Sequence, residues 1–151
     1  DLHLRAGHTD VVSLHGNLLR ARCSNGCDVS IDMCDAPADH APRCSACGSL
    51  MRPDVVWFGE KLSSENLNRA RAATFACDVF LSVGTSNLVE PAASLPWLAA
   101  AHGATVIIVN SSMQGQKKGP SILQLRGAAG ATLSRLVAMA FAGRKPRRSE
   151  D

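Results

Sequence analysis

No apolar run in this sequence reaches the roughly 18 residues that a membrane-crossing helix needs. The longest candidate, PAASLPWLAAAHGATVIIVN (residues 91–110), is broken by Pro96 and Gly103. Strong charge of either sign is also missing. Lys and Arg number 16 against 13 Asp and Glu, a net charge of +3, and much of the excess sits in GRKPRR at residues 143–148. That stretch reads as a solvated basic tail. The remaining body is near neutral, which excludes the broad basic footprint of a specific nucleic-acid binder. No internal repeat is present, and 151 residues make one domain with at most a small insert. Nothing indicates secretion, so disulfides are not the expected use of the cysteines. A cytoplasmic location is expected, with mitochondrial or nuclear as the alternatives in a eukaryotic cell. The chain starts at Asp1 without an initiator methionine and is expected to be part of a longer protein.

What is present divides into two kinds of sequence. Residues 23–50 are poor in large apolar side chains and rich in Cys, Asp, Ser, Ala and Pro, so this stretch cannot build a core of its own. Ahead of it, VVSLHGNLLRARC reads as a short strand entering a turn at Gly16. Residues 51–62 read as an apolar, aromatic loop. From residue 63 helix and strand patterns alternate. SSENLNRARAATFA opens with serine caps and places Leu67, Ala70 and Ala73 on one helical face. DVFLSVG reads as a buried parallel strand. PAASLPWLAAAHG reads as a helix with Gly103 as its stop, and ATVIIVN as a second buried strand. A polar loop, SSMQGQKKG, leads to a third strand in SILQLRG and a last helix in GATLSRLVAMAFAG. Such alternation predicts an α/β fold: a partial Rossmann-like parallel sheet with crossover helices, plus a small cysteine-rich module. The expected divisions are residues 1–62, with the cysteine module at about 20–51, then 63–142 and the tail 143–151. Ligands of such sheets sit at the carboxyl ends of strands. Those ends are GTSN (84–87) and NSS (110–112).

Four of the six cysteines, Cys23, Cys27, Cys44 and Cys47, form C-x3-C, sixteen intervening residues, then C-x2-C. Each close pair fits one tight turn, and two such pairs suit one tetrahedral Zn²⁺ with bonds of about 2.3 Å. A polar module that cannot fold by burial needs such a staple. With four thiolates the coordination shell is closed, so the ion is structural rather than catalytic. Two disulfides or a redox C-x2-C are the alternatives. Cys34 and His40 lie near enough in sequence to substitute as ligands. Cys77, at the start of a buried strand, reads as a core cysteine.

LHLRAG (2–7), LHGNLLRARC (14–23), CSACG with LMRPDVVWFGE (44–60), VGTS (83–86) and VEPAA (89–93) follow one another in this order. In this the sequence resembles the sirtuin family of NAD-dependent protein-lysine deacylases, most of all its bacterial and mitochondrial-type members, over most of residues 2–110. The resemblance implies an enzyme that transfers the acyl group of a protein lysine to ADP-ribose, releasing nicotinamide and O-acyl-ADP-ribose. It implies His15 as the catalytic base. It makes VVWFGE the acyl-lysine loop: Val56 and Trp57 line the channel, and Phe58, Gly59 and Glu60 pair with the substrate backbone. Val89, with Glu90 and Pro91, matches the opposite edge of the peptide cleft, so that substrate adds as a strand. Gly84, Thr85 and Ser86 match the loop touching the ribose and phosphate of NAD, Asn110 matches a contact to the adenosine ribose, and Gly127 and Ala129 fall near the adenine. Cys23, Cys27, Cys44 and Cys47 match the zinc ligands. The implied partners are NAD and an acyl-lysine protein or peptide, with no membrane.

The family's Gly-rich phosphate loop and Thr-Gln-Asn-Ile-Asp motif, which precede this region, are not in the sequence. The chain is therefore expected to lack deacylase activity by itself. Ser112 stands where the family carries an acidic residue, and Glu90 stands where many members carry an aromatic. Two other readings keep the same motifs: an ADP-ribosyltransferase or inactive NAD-binding relative, and a zinc-ribbon binding module without chemistry.

Overall fold

The computed structural model describes residues 1–35, 39–112 and 119–142. The basic tail at 143–151 and most of the polar loop after Ser112 lie outside the described residues. Two compact units divide the chain, Asp1–Ala70 and Arg71–Asp151.

The first unit opens with the short helix α1 (Leu2–Arg5) and a loop, then forms an antiparallel sheet of β1 (Gly16–Cys23), β2 (Ser30–Asp32) and β3 (Met51–Val55) in the order β2-β1-β3. The expected strand ahead of Gly16 is absent. His15 and Gly16 end a turn, and the strand begins at Gly16. The first part of the aromatic loop is likewise strand, with Met51 to Val55 paired to β1. Pro53 has no N–H to give a ladder. It lies beside an irregularity in the pairing, where the register skips from Asn17↔Asp54 to Ala21↔Pro53 and β1 bulges through Leu18, Leu19 and Arg20. The core here is small: Ala21, Cys23, Cys44 and Met51 are buried, with Cys27, Val29 and Ile31 packed against them. Two of the four buried residues are cysteines, so burial alone is a thin source of stability.

Helix α2 (Ser64–Ala76) carries the chain onward. Its covered side runs through Asn66, Leu67, Ala70 and Thr74, while Ala73 is exposed. Ala73 is thus not on the packed face expected of it. Thr74, one residue on, continues the i, i+3, i+4 spacing and is buried.

In the second unit β4 (Val79–Val83), β5 (Thr105–Asn110) and β6 (Ile122–Arg126) form a parallel sheet in that order, with α3 (Leu95–Ala101) and α4 (Ala129–Ala140) as its helices. The three predicted strands and two predicted helices all form. Gly103, at φ +94°, ends α3, and the His102 amide donates to the Leu98 carbonyl at 3.1 Å. Ala99, Ala104, Val106 and Ile108 are buried together, with Cys77, Phe80, Trp97 and Ile122 against them. Cys77, expected in the core, is half-buried at its margin. Truncating the fully buried Ile108 to Ala would cost about 2–5 kcal/mol. Strand β4 differs from its reading as a buried strand. It is the edge of this sheet among the described residues, and Val79 and Leu81 are about half exposed. Its two apolar faces encode burial on both sides, and α3 covers one of them.

Candidate active site and metal centre

Each cysteine pair sits on a turn made by a left-handed glycine. Gly26 (φ +81°) follows Cys23 and donates its N–H to the Cys23 carbonyl at 3.4 Å. Gly48 (φ +72°) follows Cys47 and donates to the Cys44 carbonyl at 2.9 Å. These turns point four sulfurs at one centre. The Sγ atoms of Cys23, Cys27, Cys44 and Cys47 all lie within 4.8 Å of one another, and Cys23 Sγ is 3.6 Å from Cys47 Sγ. A tetrahedron with bonds of about 2.3 Å has edges of about 3.8 Å, so the spacing suits one metal ion. A disulfide needs about 2.05 Å, and all six cysteines are free. The donor set itself fits a soft or borderline cation. Hydrogen bonds from Ser49 to Cys47 pull that thiol down to about 6, and its hydrogen bond with Cys47 pushes Cys27 up to about 12. One proton therefore leaves easily, and the charge it leaves behind holds the next proton in place. A cation removes that conflict by taking the sulfurs as thiolates. Among the described residues neither Cys34 nor His40 joins this cluster. Hydrogen bonding to Asp32 raises the Cys34 thiol, and His40 Nδ1 lies 2.7 Å from Asp39.

At the other end of the same hairpin stand His15 and the VVWFGE segment. The Val56 N–H donates to the His15 carbonyl at 3.0 Å. Gly16 follows at φ +84°, and a Cβ there would collide with the Asp54 carbonyl oxygen. Glycine is required because β3 passes that close, and the same approach seats His15 beside Val56. The His15 side chain is exposed, Val56 is half-buried, and Trp57 and Phe58 are 54% and 96% exposed. Residues 57–60 form a tight turn: Gly59 takes φ +88°, and the Glu60 N–H donates to the Trp57 carbonyl at 2.9 Å. The Glu60 carboxylate faces its own chain. It accepts from Arg52 Nη2 at 2.7 and 2.8 Å, from Arg22 Nη2 at 3.3 Å and from the Trp57 N–H at 3.1 Å. The Arg52 guanidinium, with the Trp57 amide, holds the Glu60 carboxyl below its ordinary value.

In the second unit Gly84, Thr85 and Ser86 form an exposed loop at the carboxyl end of β4, and Asn110 closes β5 beside them. The Gly84 N–H donates to the Val109 carbonyl at 2.9 Å, and Asn110 Nδ2 donates to the Thr85 carbonyl at 2.8 Å. Asn87 closes the loop in the left-handed region (φ +53°), its side-chain amide donating to the buried Ser82 hydroxyl at 3.2 Å. The position a Cβ would take on Gly84 is open, at φ +66°, so backbone lies bare at the strand end, where a phosphate or ribose can approach. Ala129 is the first residue of α4, and the Gly127 N–H donates to the Asn110 carbonyl at 3.0 Å. Val89 is half exposed beyond the same loop.

Sequence reasoning passed over Arg22, Arg52 and Ser82, and it placed Asn87 at a strand end without giving it a role. Arg52 was visible as part of the RPDVVWFGE motif, but nothing in the spacing says that Glu60 turns back to it. An asparagine directly after GTS was a usable signal, since Asn tolerates φ > 0 better than other side chains.

The profile of the Sir2 family matches residues 1–91. A protein named NAD-dependent protein deacylase from Ralstonia nicotianae is 51% identical over 109 residues, which cover 72% of this chain and 44% of the relative. NAD-dependent protein deacylase 1 of Pseudomonas aeruginosa is 43% identical over 150 residues, covering 95% and 60%. Among solved structures, a Sir2 homolog–NAD complex matches with a TM-score of 0.85 at 39% identity, over 94% of this chain and 55% of that one. Sir2Tm bound to a propionylated peptide matches with 0.78 at 28% identity, over 95% and 61%. The chain thus spans between 44% and 61% of the length of these relatives. The family profile covers more than half of the chain, the two relatives are 51% and 43% identical, and the fold superposes over nearly its whole length: this chain belongs to the Sir2 family.

Proposed function

We propose that the protein to which this chain belongs is an NAD-dependent protein-lysine deacylase. The observation that carries the reading is the hairpin that seats His15 against Val56, with a four-cysteine centre at its far end. In this reading His15 is the general base. An exposed imidazole, with one ring nitrogen able to accept a proton, suits removal of a proton from a ribose hydroxyl. Val56 and Trp57 flank the acyl-lysine stem and exclude water from it, Phe58, Gly59 and Glu60 present backbone to the peptide, and Val89 is read as a further peptide contact. Bound NAD would supply the ADP-ribosyl group that accepts the acyl chain. Gly84, Thr85, Ser86 and Asn110 would hold its ribose and phosphate at the strand ends, with Ala129 near the adenine. Cys23, Cys27, Cys44 and Cys47 would hold one structural Zn²⁺, which stiffens the hairpin and takes no part in the chemistry. The free thiols suit a reducing compartment such as the cytoplasm. Relatives named as deacylases and a neighbour bound to a propionylated peptide support this reading over a transferase or a non-catalytic module.

The test is made on the full-length gene product with an acetyl-lysine peptide and NAD. Free lysine and nicotinamide should appear together by mass spectrometry, and His15→Ala should abolish both. ADP-ribose appearing on protein in place of lysine release would turn the reading to a transferase. Absence of NAD binding would leave only the binding module.

A further inference from the structure

The turn carrying Trp57 and Phe58 has a stability problem. The sequence holds two tryptophans and four phenylalanines, and this turn exposes one of each. Neither ring is buried enough to anchor the segment, and residues 57–60 contribute nothing to the buried core. Hydrophobic burial therefore does not hold the turn, and charge does. The Glu60 carboxylate accepts from three donors through four contacts, three at Oε2 and one at Oε1, and the Arg52 nitrogen spans both oxygens. The Arg52 guanidinium also lies 4.2 Å from the centroid of the Trp57 ring. One arginine thus grips both ends of the turn, through the ring of its first residue and the carboxylate of its last. The Arg52 side chain is only 15% exposed, which sets the pair apart from a loose surface ion pair. Arg22 ties the same carboxylate to β1, lying 3.5 Å from Asp54 as well.

We propose that Arg52 and Glu60 are positioning residues that set the shape of the acyl-lysine turn and hence its affinity for the peptide. This rests on the deacylase reading of the turn. The Glu60 side chain works by holding Trp57 rather than by touching substrate. The Val56–His15 hydrogen bond fixes one end of the segment, and the Arg52–Glu60 clamp fixes the other. A turn whose shape is held in advance binds an extended peptide without first having to be ordered.

The experiment uses the full-length gene product and its Glu60→Gln, Arg52→Lys and double variants. Glu60→Gln keeps the shape but loses the charge. Arg52→Lys keeps the charge but loses the flat fork and the stacking. Two readouts are taken. In the deacylation assay each single variant should raise KM for the acetyl-lysine peptide roughly ten- to a hundredfold, with KM for NAD and the metal content unchanged. The double variant should lose no more than the worse single, because the two residues act as one unit. In ¹⁵N NMR the two indole N–H signals, assigned with Trp57→Phe, report on the turn directly. The Trp57 signal should move in both single variants and the Trp97 signal should stay. Peptide KM unchanged in both variants would overturn the proposal, as would a Trp57 signal that does not move, or equal losses for peptide and NAD. If the wild type shows no deacylation, the deacylase reading fails, and the clamp stands or falls on the Trp57 signal alone.

Discussion

The carbonyl of His15 and the amide of Val56 are joined by a 3.0 Å hydrogen bond, although 41 positions separate the two residues. Gly16 makes this possible by leaving room for the Asp54 carbonyl. The residue read as the base and the segment read as the acyl-lysine loop are thereby parts of one hairpin.

Gly16→Ala should break that arrangement. The backbone strain of a non-glycine residue at φ +84° costs about 1–3 kcal/mol, and the collision with Asp54 adds to it. Gly7→Ala is the control, since its φ of +91° is similar but its Cβ would meet nothing within 4 Å. Denaturant midpoints should fall further for Gly16→Ala than for Gly7→Ala. Equal losses would show that the close approach of β3 is unimportant.

The four-cysteine centre should hold one zinc ion per chain, read by elemental analysis. Cys44→Ser should lose the metal and the near-ultraviolet circular dichroism of the first unit, while Cys34→Ser and Cys77→Ser should keep the metal. Affinity should fall as pH falls, because protons compete with the ion for the thiolates. Retention of a full equivalent by Cys44→Ser would show that the metal is held elsewhere.

Glu60 sets an acid limit. Its carboxyl is held below the ordinary value of 4.5, mainly by Arg52. A lowered folded value means that its stabilisation is complete above the unfolded value. That stabilisation is lost as pH drops through the lowered folded value. The stability gap between wild type and Glu60→Gln should therefore be constant near neutrality and close in acid. A gap that widened as pH fell would mean that the charge on Glu60 opposes folding.

Asn87 and Ser82 should govern the loop after β4. Asn87→Ala keeps the left-handed strain and loses the Ser82 partner, and is expected to cost about 1–3 kcal/mol. Asn87→Gly removes the strain and should cost less. Thermal unfolding compares the two, and NAD titration of the full-length protein should show weaker binding for Asn87→Ala. The reverse order of stabilities would mean that the left-handed backbone is not what matters at this position.

Much of this protein was legible one residue at a time. The four cysteines that cluster, the three parallel strands, the stop at Gly103 and the ordered motifs of a Sir2 protein depend on spacing within a few residues or on runs of one character. Local chemistry writes such features directly into sequence. The readings that failed were those that needed a neighbour from elsewhere. Ala73 has helical spacing but faces solvent, because the packed face of α2 ends on Thr74. LHG looked like the end of a strand and is its beginning, because β3 pairs from Gly16 onward. DVFLSVG looked buried on both faces, yet Val79 and Leu81 are exposed where β4 forms the sheet edge.

By itself the sequence determined which residues can ligate a metal, which runs can become strands and which glycines can turn the chain, since each follows from side-chain chemistry and backbone sterics at single positions. Only the tertiary structure decided that Glu60 would close on Arg52 and Trp57, that Asn110 would hold the Thr85 carbonyl, and that His15 would be tied to Val56. These partnerships depend on where a returning strand or a neighbouring strand end passes in space. Spacing along the chain carries no record of that until the sheets have formed.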